Sequence, residues 1–229
     1  MARHDASVMA IFGSGWPAGA HLPAFCAVRK LKKINAYSPT PANRIKFARE
    51  MEKLVGVPVE PMASPAEAAK DADLLVAATN AITRVIEPEW MKPGVHATCV
   101  KDCELGEETI RKANRVVIHA RNFAPENYIA GFGDEKIVAH DPVDFIRGTK
   151  RSAGETAAAP FWASAPELKE VMGGTVAGRK SAEEVTCFIN NIGLGIQFAA
   201  VGSANYPGAR TKGVGREIPT DWFLESVHP

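Results

Sequence analysis

The stretch Val8-Met9-Ala10-Ile11-Phe12-Gly13-Ser14-Gly15-Trp16-Pro17-Ala18 decides how the rest of the chain is read. Its unbroken apolar run, bounded by turn formers, fits a short strand buried on both faces of a parallel sheet. Gly13 then permits a tight turn, Gly15 lets the main chain approach a ligand closely, and the small Ala18 allows the following helix to pack against the strand. A G-x-G-x-x-A run between a strand and a helix start aims helix N–H groups at a pyrophosphate. The loop Gly13, Ser14, Gly15, Trp16, Pro17 and Ala18 is therefore the expected cradle of a dinucleotide. The competing reading is a plain glycine turn between strand and helix.

The chain beyond this loop repeats the strand–helix rhythm. From Ala18 to about Lys30, Leu22, Phe25, Cys26 and Leu31 recur at helical spacing, with Arg29 and Lys30 expected in the last turn, where they complement the helix dipole. Ile34-Asn35-Ala36-Tyr37 reads as a strand. Thr40-Pro41 opens a helix that stops at Gly56, and Ser64-Pro65-Ala66-Glu67 opens a short one by the same device. Between these helices lies a weak strand at 57–59, and 73–78 is a buried strand. Further strands are expected at 95–101, where residues alternate, at 116–119, and near 185–189. Helices are expected at 107–113, 166–172 and 193–203, and helices with long loops at 121–165. The sum is an α/β fold, a Rossmann-like doubly wound, mostly parallel sheet of about six strands with a helical C-terminal extension. Residues 5–145 form the dinucleotide-binding region; 146–229 complete it and supply a helical tail.

At the end of the second strand, an NAD site would place Asp or Glu on the ribose 2′-hydroxyl. This chain has Ser38-Pro39-Thr40, with Asn43 and Arg44 on the next helical turn. No carboxylate there repels a 2′-phosphate, so Ser38, Thr40 and Arg44 favour NADP over NAD. Thr40 as a helix cap and Arg44 as a solvated helix residue are the bland alternatives. Thr79 leaves a strand at its carboxyl end, where doubly wound folds bind ligands, and touches either the cofactor or only its own turn. Asp102 and Glu104, at another strand end, are the best-placed carboxylates for proton transfer, unless they cap the next helix.

Bulk properties narrow the field. The 229 residues carry 27 Lys+Arg against 26 Asp+Glu, a formal charge of +1 without the basic excess a nucleic-acid partner needs. Four cysteines are too scattered for a disulfide framework or a metal site and read as reduced thiols, which points to the cytoplasm. The uncharged stretches 6–28 and 185–209 are broken by Gly, Pro and polar residues, so no membrane span or secretory leader is expected.

Taken together, Ala10 to Ala18, Tyr37-Ser38-Pro39-Thr40-Pro41, Ala77-Ala78-Thr79-Asn80, Lys92-Pro93-Gly94-Val95-His96 and Phe188-Ile189-Asn190-Asn191-Ile192-Gly193 resemble the ornithine cyclodeaminase/mu-crystallin family. The resemblance implies a Rossmann-like, NAD(P)-dependent enzyme of small imino or amino acids, working as a homodimer. It implies that Gly13, Gly15 and Ala18 hold the pyrophosphate, that Ser38 and Thr40 face the adenosine ribose and Thr79 lies beside the cofactor. It also brings Asn191 and Ile192 to the nicotinamide and Asp102 near the family's catalytic aspartate. Pro17 replaces the family's usual Gln, and the segment after Asp102 is shorter than in true ornithine cyclodeaminases. The resemblance also implies a substrate and dimerisation region preceding the first Rossmann strand, and with only seven residues before Val8 that region is expected to be absent from this chain. On that reading the tail residues Tyr206, Trp222, Phe223 and Leu224 are expected to bury against something this chain lacks. The expected activity is hydride transfer between a nicotinamide and the C=N carbon of a small imino acid. Cyclodeamination of ornithine to proline and ammonia is the lyase alternative, and a non-catalytic dinucleotide-binding module is the alternative of another class.

Overall fold

The computed structural model describes residues 1–121, 161–190 and 195–223. Strand β1 (Val8–Phe12) leads through helix α1 (Trp16–Val28) to β2 (Lys33–Tyr37), then through α2 (Pro41–Val55) to β3 (Val59–Pro61). Helix α3 (Pro65–Ala69) carries the chain back across to β4 (Leu74–Ala77), and after it come β5 (His96–Cys99), α4 (Gly106–Arg111) and β6 (Arg115–Ile118). Beyond residue 160 lie α5 (Leu168–Met172) and β7 (Thr186–Ile189). The strands pair in parallel in the order β3-β2-β1-β4-β5-β7-β6. Among the described residues the sheet thus has seven strands rather than about six, because β7 inserts between β5 and β6.

The alternation along β1 shows why its sequence is apolar throughout. Met9 and Ile11 face a layer holding Ala18 and Leu22 of α1 and Phe47 and Ala48 of α2. Ala10 and Phe12 face the opposite layer, with Ala68 and Ala69 of α3 and Ile110 of α4. Covered on both sides, a central strand has no polar face to show. The same holds for β5, whose four residues are all buried, so the alternation expected over 95–101 is not what defines that strand. Burial of Met9, Ile11 or Phe12 is worth about 1.5–3 kcal/mol each.

Helix ends follow their sequence signals with two differences. Ser64 Oγ accepts from Glu67 N at 3.2 Å, the cap expected at α3 and worth ~1 kcal/mol. Thr40 stands at the N-cap of α2, yet its hydroxyl makes no cap bond, and Pro41 at the first helical position supplies the preset φ that starts the helix. Helix α1 starts two residues earlier than expected and ends at Val28, so Arg29 and Lys30 lie beyond its last turn. Arg29 still serves the helix end through a bond to Val28 O, and it also donates to Ala2 O and Arg3 O.

The chain divides into two compact units, Met1–Ile192 and Gly193–Pro229. The second unit contains helix α6 (Gly195–Thr211), eight residues longer at its C-terminal end than expected. Tyr206 and Trp222 are exposed, whereas Leu224 lies outside the described residues. So do most of the segment 121–165 and the boundary expected near 145. None of the described helices is long and apolar enough to cross a membrane.

Candidate functional site

The order reverses between β1 and β4: β1 leads outward to β2, and β4 returns on the other side. At such a switch point the loops after the two strands diverge and leave a crevice at their carboxyl ends. A cleft of about 800 Å³ lies there, lined by Gly13, Ser14, Gly15 and Pro17 from the first turn, Tyr37 to Thr40 from the second, and Ala78 to Ala81 from the third.

The two motif glycines are needed for different reasons. Gly13 has φ +119°, its N–H bonds Tyr37 O at 2.8 Å, and a Cβ there would sit 2.2 Å from Ala78 O. The protein itself forbids a side chain at this point. Gly15 has φ −89°, open to any residue, and a Cβ would meet nothing nearer than Pro17 Cδ at 3.7 Å. Among the described residues nothing sterically excludes a side chain at 15, and the room a Cβ would fill belongs to the cleft wall. This is the pattern expected of a loop shaped to let a phosphate approach the main chain. No acidic side chain occupies the first turn of α1 and, among the described residues, no side chain caps it. Ala18 is buried beneath the loop, and Trp16 is 89% exposed beside it.

On the β2 side, Ser14 Oγ donates to Ser38 Oγ at 3.0 Å, joining the first turn to the second. Ser38 is buried. Arg44 Nη1 donates to Ser38 O at 3.1 Å and Pro39 O at 3.4 Å, with the guanidinium carbon 5.7 Å from the Tyr37 ring centroid. A cation is thereby fixed at the end of β2, and no carboxylate among the described residues pairs with it. On the other side Trp90 stacks on Phe12, centroids 5.5 Å apart and planes 9° from parallel, and both rings wall the cleft. The sequence reading missed this wall. Trp90 sits in a short 3-10 turn whose local spacing carries no signal that it returns to β1.

The carboxylates separate clearly. Glu104 is fully buried and accepts four bonds: Thr79 N at 2.7 Å and Thr79 Oγ1 at 2.6 Å on Oε1, Val100 N at 3.0 Å and Lys101 N at 2.9 Å on Oε2. With every acceptor position engaged it is cement between two turns, which removes it as a proton-transfer candidate. Thr79 lines the cleft, but its hydroxyl is spent on Glu104 and on Ala81 N at 3.0 Å. Asp102 is half-buried at the carboxyl edge of β5, its Oδ1 accepting from Cys103 N at 2.8 Å, and it is not part of the cleft wall. Lys101 Nζ beside it donates to Ala81 O at 2.6 Å. Burial holds the Cys99 thiol well above its ordinary range and pushes Cys187 up to about 12, so both are inert in the core. Asn191 and Ile192 lie outside the described residues.

The chain is similar to proteins of known activity. The chain is 30% identical over 225 residues to a Delta(1)-pyrroline-2-carboxylate reductase of Bacillus cereus, covering 95% of this chain and 62% of that protein. An alanine dehydrogenase of Archaeoglobus fulgidus is 29% identical over 95% of this chain and 62% of its own length. Among solved structures, Thermococcus litoralis Delta(1)-pyrroline-2-carboxylate reductase in complex with NADH and L-proline superposes with a TM-score of 0.73 at 29% identity, over 95% of this chain and 62% of that one. The chain therefore spans about three-fifths of the length of the relatives it matches. A profile of the ornithine cyclodeaminase/mu-crystallin family matches residues 1–207, and the chain belongs to that family.

Proposed function

We propose that the cleft binds a nicotinamide dinucleotide and that the chain is the cofactor-binding part of an imino-acid reductase. The observation that carries the reading is the contrast between Gly13, which the protein's own packing demands, and Gly15, where the main chain stays open to the cleft although its backbone would admit a side chain. The reductases among its relatives support the substrate class, a small imino acid such as pyrroline-2-carboxylate. When bound, the dinucleotide supplies hydride to the C=N carbon. Asp102 supplies the proton to the substrate nitrogen, directly or through water, and the Cys103 N–H bond fixes the orientation of its carboxyl. Asn191 and Ile192 approach the nicotinamide. The reading includes a homodimer in the cytoplasm, and sedimentation equilibrium tests the assembly.

The test is consumption of dihydronicotinamide absorbance on adding a cyclic imino acid. Asp102→Asn should slow it about 100-fold, the lower end of what a positioned acid contributes. An unchanged rate would assign the proton to another group.

Cofactor choice turns on the end of β2. Ser38, Pro39 and Thr40 carry no charge to repel a 2′-phosphate, and Arg44 is held beside them by two carbonyls. NADPH should bind about tenfold tighter than NADH, a difference of about 1.4 kcal/mol, read by energy transfer from Trp90. Arg44→Ala should narrow the gap, and equal affinities in the unaltered chain would refute the preference.

A further inference from the structure

We propose that Glu104 is the positioning residue of the nicotinamide side of the cleft: its buried carboxylate sets how the wall after β4 stands relative to the loop that carries Asp102. The inference rests on the dinucleotide reading above. The two carboxylate oxygens divide their work, Oε1 taking both donors of Thr79 and Oε2 the N–H groups of Val100 and Lys101. The main-chain carbonyl of the same residue accepts from Val85 N at 2.7 Å and Ile86 N at 3.1 Å, so the segment between Thr79 and Ile86 is held at both ends.

One tied segment lines the cleft and the other leads into the loop that carries Asp102. Thr79 to Ala81 line the cleft, and Asp102 comes directly after Lys101. The adenosine end of a dinucleotide belongs to β2, whose terminus meets the ribose, which leaves the edge of β4 and β5 for the nicotinamide. A buried carboxylate is costly unless its hydrogen bonds are made, and here they are made entirely with these two turns. Only an ionised carboxylate can accept from all four donors. A glutamine in its place turns an N–H₂ group toward one pair of them, so one turn is released whichever way the amide lies. Glu104 acts through Thr79 and Lys101 and does not itself reach the ligand.

Calorimetric titration with two probes separates this role from general stability: NADPH, which spans the cleft, and adenosine 2′,5′-bisphosphate, which fills only the β2 side. Glu104→Gln, confirmed folded by circular dichroism and measured well below its melting midpoint, should raise the NADPH dissociation constant at least about tenfold while the bisphosphate constant stays within about twofold. Thr79→Val, which removes the hydroxyl's bonds to Glu104 and to Ala81 N and keeps the side-chain shape, should show the same split at about threefold and carries the test if Glu104→Gln fails to fold. Equal weakening of both probes, or of neither, in the folded variants overturns the proposal. An unaltered chain that binds neither probe overturns the dinucleotide reading and the proposal with it, a different and recognisable result.

Discussion

Gly15→Val is expected to abolish dinucleotide binding, with a loss of at least about 100-fold in affinity, or ~2.7 kcal/mol, while the fold survives. Both halves of the expectation come from the same backbone. At φ −89° and ψ −174° the residue is in extended conformation, which valine adopts without strain, and the nearest atom to its Cβ is Pro17 Cδ at 3.7 Å. The cost to the chain is limited to placing a poor N-cap residue at the start of α1, on the order of 1 kcal/mol. The ligand meets a branched side chain where its pyrophosphate should lie against the main chain. Gly13→Ala supplies the contrast. At φ +119°, with Ala78 O 2.2 Å from the new methyl, the first turn cannot close on the β4 loop, and the variant should lose its fold before binding is in question. Circular dichroism and NADPH titration of the two variants read the difference. If Gly15→Val binds NADPH as the unaltered chain does, the phosphate cradle is elsewhere.

The part of the site that local chemistry dictates is the part the sequence discloses. Strand β1, the glycine turn and the start of α1 are contiguous, and most of their residues answer to needs that are local: burial along β1, the positive φ at Gly13 and the packing of Ala18. The end of β2 is legible for the same reason: an absent acid is visible without knowing what packs there. Where the outcome depends on which strands become neighbours, the sequence is mute. Residues 186–189 read as a strand, but nothing in Thr186-Cys187-Phe188-Ile189 says that it enters between β5 and β6. The stack of Trp90 on Phe12 joins residues far apart in the chain. Asp102 and Glu104 look alike as neighbouring acids at a strand end. Only the third dimension sends one into the interior against four donors and leaves the other half-exposed.

The placement of β7 creates the second large effect, a loss of stability in mild acid traceable to one side chain. His96 begins β5, its register partner on β7 is Thr186, and its Nδ1 lies 2.9 Å from Thr186 Oγ1. Arg179 donates to that same hydroxyl at 2.9 Å and also to Gly94 O and Val95 O, so the ring sits within the sheet with a guanidinium nearby. Burial, followed by the positive charges around it, lowers the His96 pKa from 6.5 to about 3. The folded protein therefore keeps this imidazole neutral through a pH range in which the unfolded chain protonates it. Above pH 6.5 neither state binds the proton and nothing is lost. As pH falls from 6.5 towards 3 the unfolded state gains about 1.4 kcal/mol per pH unit over the folded one, and the loss levels off below that range. His96→Gln keeps a hydrogen-bonding side chain against Thr186 and removes the titration. Its carboxylates are those of the unaltered chain, so their contribution cancels in the comparison. Urea unfolding at a series of pH values should show the unaltered protein losing about 2 kcal/mol more than His96→Gln between pH 6.5 and pH 5. Parallel curves for the two proteins would mean that His96 takes up its proton within the fold, and that the sheet around it opens to admit the charge.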